Sequence, residues 1–478
     1  MGKNITIVGG GSSTFVPHLM RLFIESETLR GSTITLMDVD AGRLEVMDTL
    51  AQRLIQRESA ALTVRSTTDQ RESLAGADFV IVAISVGGMS AWEHDIEIPA
   101  KYGIYMHIAD SIGPGGIMRA FRHVPILAGI CRDLREVSPR ARVLNYTNPA
   151  TANALAMRTV PEIESASLCS CTAIPSNAQL LGLWAGVSPG EVAVPPLVAG
   201  VNHCASIVDL RLTDGRDALA LLRQRDAAAV SEAARQSPLL AEAARQRGVG
   251  EEQLLAEMLR HVGLGRPIVQ WVLNTYGVLP YCWSHWAEFY PQLMRLAEPY
   301  NGRAQGLSMD YGLRIHDMDH ERARVQHWQS VADRWSRSED TGEVSLQSLP
   351  EEEGIEVVAI IEAIVENRNA LHIVNTVNHG SIDNLPGEAV VEVTSVVNSY
   401  GIRPLHVGPL PEPIAANLRH HISTQQLTVQ AALSGDRKDA LQAFLLDPVV
   451  MAHLNPDEAG KLLDELLQAH AGYLPTFA

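Results

Sequence analysis

Residues Ile5 to Thr14, reading I-T-I-V-G-G-G-S-S-T, decide the fold. Ile5, Ile7 and Val8 make a short β-branched run that stops at three glycines, and the next segment, Phe15 to Ser26, carries Phe15, Leu19, Leu22 and Phe23 at helical spacing. A strand, a tight turn and a helix are expected in that order. Glycine lets the backbone turn sharply and approach a ligand with no Cβ in the way. The first turn of the following helix aims free N–H groups and the positive end of its dipole at an anion. A pyrophosphate fits there. Gly9 and Gly11 fill the first two places of G-x-G-x-x-G, while Thr14 stands where the third glycine belongs. A second strand, Ser32 to Met37, ends at Asp38, roughly 25 residues past the loop, where a carboxylate can accept hydrogen bonds from an adenosine ribose. A plain βαβ unit whose glycines only pack helix on strand is the alternative. Asp38 favours NAD, with Gly9, Gly10, Gly11, Ser12 and Ser13 around the pyrophosphate and Arg43 the nearest cation to Asp38.

The surrounding composition narrows the class. A chain of 478 residues is long enough for two or three domains, and 46% hydrophobic with 19% charged residues is ordinary for a globular protein. The net charge of −17 argues against nucleic acid or an anionic membrane as a partner, since both reward a basic surface. Five cysteines, Cys131, Cys169, Cys171, Cys204 and Cys282, without regular spacing make no disulfide framework, so reduced thiols and a cytoplasmic location are expected. The chain enters its first strand directly, with no leader pattern, and no run of 18 apolar residues occurs.

Taken in order, Ala41 to Gln56 reads as a helix with Leu44, Met47, Leu50, Ala51 and Leu54 on one face. Ala77 to Ser85 is a continuously apolar, buried parallel strand that ends at Val86-Gly87-Gly88. Glycines there let the backbone lie against the nicotinamide half of the cofactor. Val143 to Asn148 is another strand ending in polar groups at the same edge. Between them, Ile98 to Arg122 reads as a long glycine-rich loop feeding a helix through Cys131 and Leu134. A boundary falls near Pro195-Pro196, after which Val198 starts a strand whose polar residues, including Asn202 and His203, sit at its beginning. Asp310 to Gly354, charged and poor in core residues, reads as solvated or at a subunit contact, Ala389 to Val397 as a strand, and Glu412 to Gln468 as helical. The fold class is α/β: a Rossmann-like doubly wound parallel sheet over residues 1–196, then an α+β substrate-binding and oligomerisation domain over 197–478.

Several stretches together resemble glycoside hydrolase family 4, the NAD-dependent glycosidases. They are Gly9-Gly-Gly-Ser-Ser, Gly103 through Arg122 with A-D-S-I-G-P-G-G-I-M-R-A-F-R, and Asn145-Tyr-Thr-Asn-Pro-Ala; then Cys169, Val201-Asn202-His203, Asn384 through Val393, and the tail around Asp436-Arg437 and Asp447-Pro448. The N-Y-T-N-P and G-P-G-G-I-M-R matches are the specific ones. The resemblance implies a hydrolase in which NAD removes hydride from C3 of the sugar, so that the resulting ketone acidifies the C2 proton. A base takes that proton, the aglycone leaves C1, water adds and the hydride returns.

The resemblance also implies a divalent ion, Mn2+ by family habit, held by one cysteine and one histidine, here Cys169 and His203, with Asn148 contacting the substrate hydroxyls. As a lone pair of residues, Cys169 and His203 would equally suit a buried core thiol and a hydrogen-bonded histidine. The sequence departs from the pattern at Ser170, where members often carry an acidic residue or histidine, and again at Cys171. The segment Gly277 to His285 aligns in more than one register, leaving Tyr281 and His285 as candidates for the base. These departures suggest a divergent branch or a sister group such as the NAD-dependent sulfoquinovosidases. An anionic sugar (sulfoquinovoside, 6-phosphoglycoside or uronide) or an α-glucoside or α-galactoside is the expected substrate. His107, Arg119, Arg122, His123 and His285 are the available cations, and Asn202 is placed beside the sugar. A homodimer or homotetramer is expected. Two other readings stay open: a plain NAD-dependent dehydrogenase of a hydroxy acid or polyol, which would accumulate NADH, and a catalytically inactive NAD-binding sensor.

Overall fold

In a computed structural model, the residues described are 2–106, 108–170, 187, 191–193, 195–224, 250–253, 267–282, 285–293, 313–337, 344–346, 349, 356–475 and 477, with isolated positions between 232 and 245. The glycine stretch sits where the sequence puts it. Strand β1 (Asn4–Val8) is followed by helix α1 (Phe15–Glu25), β2 (Thr33–Met37), α2 (Ala41–Glu58) and β3 (Thr63–Thr67). A short helix α3 (Gln70–Leu74) leads to β4 (Phe79–Val82), then α4 (Gly88–Ala100), α5 (Gly113–Val137), β5 (Arg142–Asn145), α6 (Ala150–Met157) and β6 (Glu164–Ser167). These six strands lie parallel in the order 3-2-1-4-5-6, the doubly wound arrangement that carries ligands at the carboxyl ends of its strands.

The strands are apolar on both faces because both faces are covered. Ile5, Ile7, Phe79 and Ile81 join one core with α1, α2 and the helix Val357–Val365. Val8, Val80 and Val82 face a second core built with Leu127, Ile130, Cys131 and Leu134 of α5. The sheet continues past β6 with antiparallel strands: β7 (Leu197–Gly200), β8 (Ser206–Asp209), β9 (Leu279–Pro280), β10 (Ala370–Val377), β11 (Val390–Asn398) and β12 (Gly401–Pro404). Its order there is β6-β10-β11-β7-β8-β9, with β12 beside β11. One sheet therefore runs through both halves of the chain. The tail forms helices Glu412–Ser434, Arg437–Leu446, Pro448–His453 and Pro456–Ala469, the first of which packs on α5 and α6. Among the described residues no helix is long and apolar enough to cross a membrane.

Three expectations change. The glycines of Gly113-Pro114-Gly115-Gly116 begin α5 rather than forming a loop, and α4 fills part of the stretch read as loop. A Cβ on Gly115 would sit 2.5 Å from the Asp95 carbonyl oxygen, and one on Gly116 would sit 2.5 Å from the Ser111 carbonyl carbon, so tight packing of this first turn explains the composition. The polar residues read at the start of one strand lie instead in the turn between β7 and β8. The charged segment after Asp310 contains the helix Leu313–Ser336, whose Trp328, Val331 and Trp335 are buried in the core beside α2.

Candidate active site

At the end of β1 the glycines are required by their surroundings. Gly9 has φ +100°, and a Cβ there would meet the Ala83 carbonyl oxygen at 2.2 Å. A Cβ on Gly10 would meet the Met37 nitrogen at 2.7 Å. Both N–H groups donate to the Met37 carbonyl, which ties the turn to the end of β2. The Gly11 N–H donates to Asp38 Oδ2 (2.9 Å), and the Asp40 N–H donates to Asp38 Oδ1 (3.0 Å). Ser12 Oγ accepts from the Phe15 N–H at the start of α1, Ser13 is buried, and Arg43 pairs with Asp40. This cradle, with a carboxylate fixed at its edge, fits a dinucleotide. Gly87 and Gly88, both at positive φ, open α4, and the ring of Tyr473 covers the place a Gly87 Cβ would take.

The second cluster is formed by five loops at the same edge of the sheet. Asp110 and Ser111 precede α5, Asn148 follows β5, Cys169 follows β6, His203 sits in the β7–β8 turn, and Cys282 and His285 follow β9. His203 has φ +68°, a left-handed conformation that costs a non-glycine residue free energy and marks functional positions. Ligand atoms of Cys169, His203 and Cys282 lie within 4.8 Å of one another, as do those of Asp110, His203 and His285. Cys282 is disulfide-bonded, against the expectation of five reduced thiols, so it offers no thiolate, whereas Cys131, Cys169 and Cys204 are free. Cys169 and His203 remain as thiolate and imidazole, a donor pair that fits a borderline divalent ion.

Hydrogen bonds knit the cluster together. His203 Nδ1 is 2.7 Å from Ser111 Oγ and 3.4 Å from Asp110 Oδ1. Ser111 Oγ donates to Asp110 Oδ1 at 2.9 Å, Asn148 Nδ2 donates to Asp110 Oδ2 at 2.8 Å, and the His203 and His285 rings stack at 3.6 Å. Burial works against charge on Asp110, but His285 and His203 beside it hold its carboxyl well below the usual range. Burial likewise opposes charge on His203, yet Cys169 and Asp110 together hold its pKa well above the ordinary imidazole value.

Two further buried carboxyls back this cluster. Glu288 Oε1 accepts from the Ile108 N–H (2.7 Å) and the Ala109 N–H (3.2 Å), supporting the loop in which Ala109 is left-handed just before Asp110. Burial and the nearby Asp110 push its pKa up to about 7. Glu392 Oε1 accepts from Asn202 (3.2 Å) and Asn375 (3.1 Å), so Asn202 is turned toward a core carboxyl. Tyr281 is buried. Burial raises its pKa well above the usual phenol value, and Glu392 and Cys169 raise it further, because its charged neighbours are acids.

The cationic candidates separate. Arg122 is fully buried in a two-pronged pair with Asp95 (2.6 and 2.9 Å), with His470 beside it. His123 accepts the Val86 N–H at Nε2 and contacts the Arg119 carbonyl through Nδ1; burial, then Arg119 and Arg122, push its pKa well down, so it is neutral. Arg119 borders the cluster, donating to the Asn148 carbonyl (3.2 Å) and lying over Trp92. His107 and Cys171 lie outside the described residues. Asp110 and Ser111 stand in the sequence motif and Glu288 in the aromatic stretch after Tyr281, but none of the three was given a role from sequence. The available signals were a polar pair just before the glycine-rich helix start and a lone carboxylate inside Trp286-Ala-Glu-Phe289.

Known proteins place this architecture. The chain is 29% identical to an α-galactosidase of Bacillus subtilis (strain 168), covering 99% of this chain and 100% of the relative. It is also 29% identical to an α-galacturonidase of Thermoanaerobacterium saccharolyticum, covering 98% and 96%. A solved 6-phospho-α-glucosidase from gut microorganisms, in complex with NAD and Mn2+, shares the fold with a TM-score of 0.77 over 100% of both chains at 22% identity. A sequence model of family 4 glycosyl hydrolases matches residues 4–177, and one of the family 4 glycosyl hydrolase C-terminal domain matches residues 198–450. The chain belongs to family 4 of the glycosyl hydrolases.

Proposed function

We propose that this enzyme is an NAD-dependent, divalent-metal glycosidase whose nucleotide-binding part spans residues 1–196 and whose substrate part spans 197–478. The observation that carries the reading is convergence at one sheet edge. There the glycine cradle with Asp38 lies on β1 and β2, the buried Asp110 precedes α5, and the half-buried Asn148 and Cys169 and the buried His203 lie on the loops after β5, β6 and β7. Bound in the cradle, NAD supplies a reversible hydride acceptor for the sugar C3. Cys169 and His203 would hold a divalent ion, whose positive charge would favour loss of the sugar C2 proton. Tyr281 is the first candidate for the base that takes that proton, and His285 is the second. Asn148, held by Asp110, is positioned to orient sugar hydroxyls.

Among the described residues Arg119 is the one guanidinium considered that borders Asn148, since Arg122 is paired with Asp95, His123 is neutral, and His285 faces the Asp110 carboxylate. That favours a neutral or singly charged sugar over a phosphate dianion, in line with the names of the two relatives above. The proposed substrate is an α-galactoside or an α-galacturonide. Assembly as a homodimer or homotetramer in the cytoplasm completes the reading. The test is turnover of nitrophenyl α-galactoside and α-galacturonide against 6-phosphoglycosides, sulfoquinovosides and α-glucosides, with NAD present or removed. Turnover of the first two alone, lost without NAD, supports it; cleavage that ignores NAD, or a preference for 6-phosphoglycosides, contradicts it.

A further inference from the structure

The chemistry of Asp110 and Ser111 fixes more than a contact. Asp110 Oδ1 lies 3.4 Å from His203 Nδ1 and 3.5 Å from His285 Nε2, and its Oδ2 takes the Asn148 Nδ2 donor, so the oxygens of this carboxyl act as acceptors. Ser111 Oγ, 2.9 Å from Asp110 Oδ1, must therefore point its one hydrogen at Asp110. The lone pairs of that hydroxyl then face His203 Nδ1 at 2.7 Å, so the imidazole carries its proton on Nδ1 and donates it to Ser111. In the singly protonated ring that binds a metal, Nε2 is then the nitrogen with the free lone pair.

The other partners of Asp110 oppose any reversal. Asn148 Nδ2 is a donor to Oδ2, and Glu288 Oε1 holds the Ile108 and Ala109 N–H groups, which sets the height of the loop on which Asp110 and Ser111 ride. The left-handed backbone at Ala109 and at His203 shows that both sides of this contact are held in conformations the chain would not choose locally.

We propose that Asp110, acting through Ser111, is the positioning carboxylate of the metal histidine: it locks His203 in the Nδ1–H tautomer and presents Nε2 to the ion. The inference rests on the reading of Cys169 and His203 as the metal pair. An imidazole ligand whose far nitrogen donates to a carboxylate or hydroxyl is held in orientation and made more basic, and loss of such a partner typically weakens metal binding by about 10- to 100-fold. Here the carboxylate reaches the ring through a serine, so both residues are needed, and neither needs to touch the ion.

The test is binding of Mn2+ to the NAD-saturated enzyme, followed by loss of the free-ion electron paramagnetic resonance signal. The proteins compared are the natural enzyme, His203→Ala, Asp110→Asn, Ser111→Ala and Ser111→Thr. The tautomer of His203 is read separately in the metal-free enzyme by long-range 1H–15N NMR, at a pH raised until the 15N shifts report a singly protonated ring, with His203→Ala identifying its signals. Weakening of about 10- to 100-fold in Asp110→Asn and Ser111→Ala, binding within about 2-fold of normal in Ser111→Thr, and an Nδ1–H tautomer that is lost in Asp110→Asn support the proposal. Unchanged binding in Asp110→Asn and Ser111→Ala, or an Nε2–H tautomer in the natural enzyme, overturns it. If His203→Ala binds Mn2+ as well as the natural enzyme does, the metal-pair reading itself falls, and the tautomer result still decides the role of Asp110 and Ser111.

Discussion

Replacing Glu288 with glutamine isolates one buried proton. The carboxyl is fully enclosed, and burial, reinforced by Asp110, raises its pKa from about 4.5 to about 7 despite two backbone N–H donors on Oε1. A carboxyl with a raised pKa binds its proton more tightly in the folded state. Its contribution to stability is therefore complete below about pH 4.5 and disappears as pH rises through about 7. Each pKa unit corresponds to about 1.4 kcal/mol, so the whole effect is about 3 kcal/mol, of which about 2.5 kcal/mol is lost between pH ~5 and pH ~8. Glu288→Gln keeps an acceptor oxygen for Ile108 and Ala109 but has no proton to lose. Urea denaturation of both proteins across that range should show the natural enzyme losing about 2.5 kcal/mol relative to the variant. Parallel stability curves, or a natural enzyme that gains on the variant as pH rises, would refute the argument that this carboxyl is protonated in the fold.

Other perturbations read other parts of the site. NAD should bind more tightly than NADP, because Asp38 is fixed at the edge of the cradle and would repel a 2′-phosphate; dissociation constants for both cofactors check this, and equal binding counts against it. Cys169→Ser and His203→Ala should each lower turnover at least about tenfold and lose bound metal by elemental analysis, while full activity in excess chelator would remove the metal from the account. Arg122→Met should destabilise the fold by about 3–5 kcal/mol by leaving Asp95 buried without its cation, measured by denaturant unfolding. An unchanged midpoint would show that His470 alone holds that carboxylate.

The nucleotide half was legible because its signals are local. A β-branched run, three glycines and a helical stripe each depend on residues within one turn of chain, and β1, α1, β2, α2 and β4 fell close to their expected places. The metal pair, by contrast, came from resemblance, since nothing local in Cys169 or His203 distinguishes a ligand from a core residue. Asp110, Ser111 and Glu288 act by convergence of segments far apart in the chain: Glu288 reaches back 180 residues to Ile108, and His203 lies 92 residues beyond Ser111. No periodicity reports such contacts. Arg122 misled for a related reason. A cation beside a motif suggests a substrate contact, but Asp95 on the preceding helix already neutralises it. The helix Leu313–Ser336 was obscured by its composition, because a charged outer face masks the few tryptophans that bury against the core.

The most direct test of the redox-cycling reading is hydrolysis of a nitrophenyl α-galactoside in D2O with NAD present, followed by NMR of the released sugar and by absorbance of NADH. Proton abstraction at C2 within a closed hydride cycle puts deuterium at C2 of the product and leaves no net NADH. A product with C2 fully protonated, or NADH that accumulates in step with substrate consumed, would contradict it and turn the account toward direct displacement or a simple dehydrogenase.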